Sequence, residues 1–221
     1  MNTLTLLYPD KCMLCGQRIA EPQRGLCPDC RARLEQQLRT VHTPAPPNLD
    51  ALVCAAWYAG RVRRALLDYK FNHHYAYGRP LAELLAQAWE VRRMPAPDVI
   101  TCVPVSLTHV YGRGFNQSAE LAACLAAHWE LPFVQTLRRR LLARRQSALN
   151  RTDRWHNARR TFFPRATADV EGKTVLLVDD IVTTGATVST CAGILREMGA
   201  TRVWALAAAK TGQAPRDAGA E

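Results

Sequence analysis

Two unbroken apolar runs, 175–178 and 203–209, stand near the end of the chain. Strands buried on both faces of a parallel sheet read this way. They predict strands over 174–178 and 201–209. A polar turn after the first leads into a predicted helix at 186–198, stopped by Gly199. Strand, helix and strand in this order form a right-handed crossover with parallel strands. Upstream, the same alternation predicts strands at 51–58, 98–103 and 132–135. Helices are expected at 62–71, 80–92 and 117–129, with Pro80 suited to a first turn. Another is expected at 149–160, and a short amphipathic one at 30–38. The class is α/β, with a mostly parallel sheet flanked by helices.

The pattern also divides the chain. Residues 1–40 form a cysteine-rich module, and 41–50, VHTPAPPNLD, a Pro-rich linker. Residues 51–212 carry the α/β domain, and the polar stretch 213–221 is a tail expected to fray. At 221 residues the chain is long enough for one full core plus a small module. No apolar run approaches the roughly 18 to 20 residues that span a bilayer. The start, MNTLTLLYPDKC, has no basic region followed by an apolar stretch, so no secretion signal is read and a cytoplasmic protein is expected.

Charge changes the picture at one place. The formal net charge is +10, and residues 138–165 hold ten arginines against one acid, Asp153. So much guanidinium implies a polyanionic partner, either the phosphates of a small ligand or single-stranded DNA. Trp155, Phe162 and Phe163 interleave there and offer base stacking or apolar packing. A solvated basic helix is the plainer alternative, although dispersed lysine would serve solubility with less self-repulsion.

Cys54, Cys102, Cys124 and Cys191 lie singly in apolar stretches and read as small buried hydrophobes. Cys12, Cys15, Cys27 and Cys30 form two C-x2-C pairs. Two cysteines so spaced can reach one ion as the chain turns, and four thiolates complete tetrahedral zinc with no place for water. The implied zinc is structural. Two redox disulfides are the alternative.

The central motif is VLLVDDIVTTGAT, residues 175–187. Ligands in an open parallel sheet sit at the carboxyl ends of strands. Asp179 and Asp180 are expected to leave the strand there. Thr183, Thr184, Gly185, Ala186 and Thr187 would offer hydroxyls and helix N-terminal N–H groups to a phosphate. Two adjacent carboxylates would repel that phosphate, so they should face ribose hydroxyls or magnesium. Two other readings stand beside this one. A Walker B strand needs G-x-x-x-x-G-K-[ST]; Gly172-Lys173-Thr174 imitates its tail, but position 167 is Thr and a strand follows. The remaining reading is an ordinary strand, turn and helix.

Asp-Asp-Ile-Val-Thr-Thr-Gly-Ala-Thr resembles the signature of type I phosphoribosyltransferases. Tyr69-Lys70-Phe71, Val103-Pro104-Val105, Arg113-Gly114-Phe115-Asn116-Gln117, Gln146, Arg154 and Asn157, with the paired C-x2-C module, are similar to hallmarks of the ComF family. These are competence-associated, phosphoribosyltransferase-like proteins with an N-terminal zinc-ribbon-like or treble-clef-like module. The resemblance spans about 12–210. It implies phosphoribosyl pyrophosphate (PRPP) with magnesium, and a role in the uptake or use of external DNA, alongside its machinery. Asp179 and Asp180 would bind the ribose hydroxyls and Thr183 to Thr187 the 5-phosphate. Pro104, Val105 and Ser106 would lie in the pyrophosphate loop. Residues 113–117 would belong to a mobile loop in which Arg113 neutralises pyrophosphate, hinged at Gly112 and Gly114. Lys70 is a further candidate. The family's hypoxanthine-salvage relatives carry aspartate where this chain has Thr183, which argues against 6-oxopurine salvage. His73, His74 and His109 lie near the expected loops, and no residue declares itself a general base. A nucleic-acid-binding component and a PRPP-sensing regulator without turnover are the competing functions.

Overall fold

The computed structural model of the chain describes residues 11–19, 25–41, 43–71, 75–105, 115–140 and 161–212. Its elements run α1 (Pro28–Thr40), β1 (Ala51–Trp57), α2 (Gly60–Phe71), α3 (Gly78–Val91), β2 (Val99–Cys102), α4 (Gln117–Trp129), β3 (Leu137–Arg139), β4 (Phe162–Pro164), β5 (Thr174–Val182), α5 (Ala186–Glu197) and β6 (Arg202–Lys210). Four strands form one parallel sheet in the order β1-β6-β5-β2. β5 pairs along one edge with β6, from Thr174 opposite Arg202 to Val182 opposite Lys210, and along the other with β2. It is therefore covered on every side, and that is why its sequence begins as an unbroken apolar run.

Side chains alternate across the sheet. Leu176, Val178 and Leu206 pack with α3 and α4, while Val175, Leu177 and Val203 pack with α5. Helix α4 starts on Asn116, whose side chain accepts the Ala119 N–H at 3.3 Å, and stops where Glu130 enters the left-handed region. No helix among the described residues is long and apolar enough to cross a membrane.

The structure departs from the sequence pattern in three places. β5 does not end at 178; it continues to Val182, because β6 runs opposite it to Lys210. Asp179 and Asp180 are thus held in the ladder and do not leave it. The expected strand 132–135 contracts to a bridge between Phe133 and Ile100, since Pro132 has no N–H to extend the pairing. Beyond it, Leu137–Arg139 pairs antiparallel with Phe162–Pro164 in a ribbon too short and too charged for alternation to reveal. The expected helix 149–160 and the tail 213–221 lie outside the described residues.

The cysteine module is docked, not tethered. Met13, Ile19, Leu26, Leu34 and Leu38 are buried in the apolar cluster that also holds Leu81, Leu85 and Trp204. Gly25 closes this contact. It sits at φ 75°, and a methyl group added there would overlap the Pro80 ring. Gly16 has nearly the same backbone, φ 76°, with open space around it. Alanine at either position carries the left-handed penalty of roughly 1–2 kcal/mol. Gly25→Ala adds overpacking of about 1–3 kcal/mol. Urea unfolding should therefore show a clearly larger loss for Gly25→Ala than for Gly16→Ala. Equal losses would mean that the module does not press on α3.

Candidate functional site

The carboxyl ends of β5 and β2 open on the same side of the sheet as the start of α5. Asp179 and Asp180 stand there, each only 9% exposed. The Asp179 carboxylate accepts the Ser118 hydroxyl at 3.0 Å and the Asp180 N–H at 2.9 Å. Asp180 pairs with Lys70 Nζ at 2.6 Å and accepts the Ile181 N–H. Burial first, and then the charge of Asp180, lifts Asp179 to about 7, although Ser118, the backbone and Lys70 pull it down. Lys70 lies in the last turn of α2. Its carbonyl receives the buried Gln117 amide at 3.4 Å, which ties that helix end to α4.

After β5 the chain turns at Thr183 and Thr184 and enters α5 through Gly185, at φ 82°. No side chain caps the helix, though the Thr184 hydroxyl accepts the Ala186 N–H at 3.4 Å. First-turn N–H groups have no intrahelical acceptor, so a phosphate fits here. Lys210, at the end of β6, donates to the Thr183 carbonyl. Asp179, Val182, Thr183, Gly185 and Thr187 line a notch of about 20 Å³. The linker packs against this turn and the start of α5. A side chain at Gly185 would approach Pro46 to 2.6 Å, Ser189 Oγ donates to the Pro47 carbonyl, and Asn48 Nδ2 donates to the Ser189 carbonyl.

Pro104 and Val105 follow β2, where the Val103 N–H bonds to the Val178 carbonyl and Asn116 Nδ2 donates to the Val103 carbonyl. Both line a cavity of about 760 Å³ whose other wall carries Arg138, Arg139, Arg140 and Arg165. Ser106, Gly112, Arg113, Gly114, His73, His74, His109, Gln146, Arg154, Trp155 and Asn157 lie outside the described residues. Asn116 and Gln117 belong to α4, not to a mobile loop, because one caps that helix and the other is buried in its first turn. Phe162 is buried as packing, and Phe163 is half-buried at the cavity wall.

Sequence reasoning missed Ser118, Lys210 and the linker residues Pro46 and Asn48. Ser118 follows the Asn116-Gln117 pair and carries no signal of its own. A Pro-rich stretch reads as a spacer until its contacts are known.

Some distance along the chain, the Cys12, Cys15, Cys27 and Cys30 sulfurs all lie within 4.8 Å of one another. Cys15 and Cys27 are 3.7 Å apart, too far for a disulfide bond. Tetrahedral bonds of 2.3 Å place sulfurs about 3.8 Å apart, so the four fit zinc. Burial alone would raise the Cys12 thiol, but the backbone N–H groups of Cys27, Cys15 and Leu14 bring it to about 7, favouring a thiolate.

Similar proteins share nearly the whole chain. DNA utilization protein YhgH of Salmonella typhi is 30% identical over 227 residues, covering 91% of this chain and 98% of its own. Competence protein ComFC of Bacillus subtilis is 27% identical over 219 residues, covering 90% and 83%. The chain belongs to the ComF family. Its residues 116–220 match the phosphoribosyl transferase domain, and 3–41 match the double zinc ribbon domain. The module is therefore a zinc ribbon, and this ComF chain has the type I phosphoribosyltransferase fold. The solved structure of the allosteric regulatory enzyme of purine biosynthesis matches 64% of the ComF chain at 24% identity, with a TM-score of 0.46. The matched part spans 30% of that enzyme's length.

Asp179 gives this ComF site a pH signature. Folding favours its protonated form, raising it from 3.8 to about 7. Its contribution to stability is complete below about pH 4 and is lost as pH rises through 7. Asp179→Asn has no charge to bury. Melting curves without ligand should show the variant gaining on the native protein from pH 4 to pH 8. A difference that stays constant with pH would contradict the buried, protonated Asp179.

Proposed function

We propose that this ComF protein binds PRPP with magnesium at the carboxyl ends of β5 and β2 and serves the use of DNA in the cytoplasm. The observation that carries this reading is the pair Asp179–Asp180 at the end of the central strand, followed by a helix headed by Gly185. Both carboxylates accept ribose hydroxyls. The N–H groups and hydroxyls of 183–187 hold the 5-phosphate. Pro104, Val105 and Ser106 meet the pyrophosphate, with Arg113 neutralising its charge. Bound magnesium would shield the pyrophosphate further. One structural zinc is held by Cys12, Cys15, Cys27 and Cys30. The names of the relatives, DNA utilization protein and competence protein, support the link to DNA.

The second reading is contact with single-stranded DNA through 138–165, alongside the machinery of DNA uptake. The arginines favour it, since a strand supplies phosphates at regular intervals. Asp179→Asn tests ribose binding, because it removes the charge and one of the two acceptor oxygens while leaving Asp180 paired with Lys70. Calorimetry with PRPP and magnesium at about pH 8, where the Asp179 carboxyl is ionised, should show an affinity loss of about 10- to 100-fold, the worth of one hydrogen bond to a charged group. Unchanged affinity would mean that the ribose lies elsewhere.

A further inference from the structure

The 760 Å³ cavity beside β2 carries more positive charge than a neutral ligand would call for. Arg138, Arg139, Arg140 and Arg165 line it, and no carboxylate stands among its described lining residues. None of the four forms an ion pair with any described residue. Gathering four guanidinium groups around one space is unfavourable by mutual repulsion, and an anion relieves it. The groups are also held in place. Arg139 lies over the Phe162 ring at 5.5 Å and Arg140 over the Phe163 ring at 6.0 Å. Arg165 donates to the Leu137 carbonyl and to Gln135 Oε1, both at 3.3 Å. Guanidinium groups fixed before binding lose little freedom when an anion arrives. Arg139 is half-buried, and burial pushes its guanidinium below its ordinary range, with no carboxylate beside it among the described residues.

Charge is only part of the lining. Phe163 offers an aromatic face and Gln135 an amide, while Pro104, Val105 and Cys102 give apolar contact. The volume exceeds what a phosphate alone requires and falls within the range of small-molecule sites. Phosphate and a planar ring together describe a nucleotide. We propose that this cavity is a subsite for a nucleoside 5′-monophosphate, free or at the end of a DNA strand, adjoining the phosphoribosyl site. Arg139 and Arg165 take the phosphate and Phe163 takes the base. The inference rests on the PRPP reading in one respect: the second ligand meets PRPP across the Pro104–Val105 turn, which the two sites share.

Calorimetry on the full zinc-containing chain tests it, with deoxyadenosine 5′-monophosphate and deoxyadenosine as probes. The monophosphate should bind at least about tenfold more tightly than the nucleoside. Arg139→Gln with Arg165→Gln should erase that preference while PRPP affinity stays within about twofold. Equal affinity for the two probes overturns the proposal. So does an equal loss of PRPP and monophosphate affinity, which would assign the arginines to pyrophosphate. Where the double variant melts early, Arg138→Gln, at an exposed position, replaces it and should lower monophosphate affinity alone. A decanucleotide with and without a 5′-phosphate distinguishes the sources. Preference for the phosphorylated strand identifies a strand end. Binding of the monophosphate with no such preference identifies a free nucleotide. Decanucleotide binding with no monophosphate binding overturns the subsite in favour of a backbone groove. Monophosphate binding without PRPP binding would keep the subsite and remove the PRPP reading.

Discussion

Asp179 and Asp180 occupy the end of β5, where pairing with β2 ends at Val178 and β6 continues alongside, so the ladder fixes the backbone that carries both buried carboxylates. Holding two adjacent acids under cover is costly, and the surroundings are arranged to bear it. Lys70 answers Asp180, Ser118 answers Asp179, and Gln117 fixes the helix end that presents Lys70. Ala207 stands opposite Asp179 in the ladder and takes little room. Burial and the Asp180 charge still hold the Asp179 carboxyl up at about 7, favouring its protonated form. Two covered carboxylates side by side cost stability that a bound ligand can return.

The zinc ribbon belongs to the same arrangement. Its second cysteine pair opens α1, which runs to the linker, and Arg92 at the end of α3 donates to the Val41 carbonyl. From there Pro46, Pro47 and Asn48 lie against Gly185 and Ser189. The module therefore anchors a strap that packs against the turn after β5. Its apolar residues complete the core beside α3, in one cluster with the strands that carry the site. A small ribbon with little core of its own gains stability both from the ion and from this docking.

The α/β class, the long helices and the order of strand and helix were legible because burial imposes period on sequence. Helix α4 matched its expected bounds, since Asn116 caps it and its apolar face is continuous. The motif 175–187 was legible as a buried strand that turns into a helix through Gly185. What escaped was set by distant partners. The end of β5 depends on how far β6 continues, and 179–182 read as a polar exit without that knowledge. The ribbon of β3 and β4 has three residues in each strand, too few for alternation to show. The concentration of arginine was plain, but its convergence on the turn after β2 appears only when 138–140 and 165 meet in space.

Hydrogen exchange with and without PRPP and magnesium tests the central claim most directly, because the proposed phosphate ligands include backbone N–H groups. Amides of 183–188 should become several-fold more protected on binding, while those of the α1 helix stay unchanged. Binding that leaves 183–188 exchanging at its original rate would contradict the placement of the phosphoribosyl group at the end of β5.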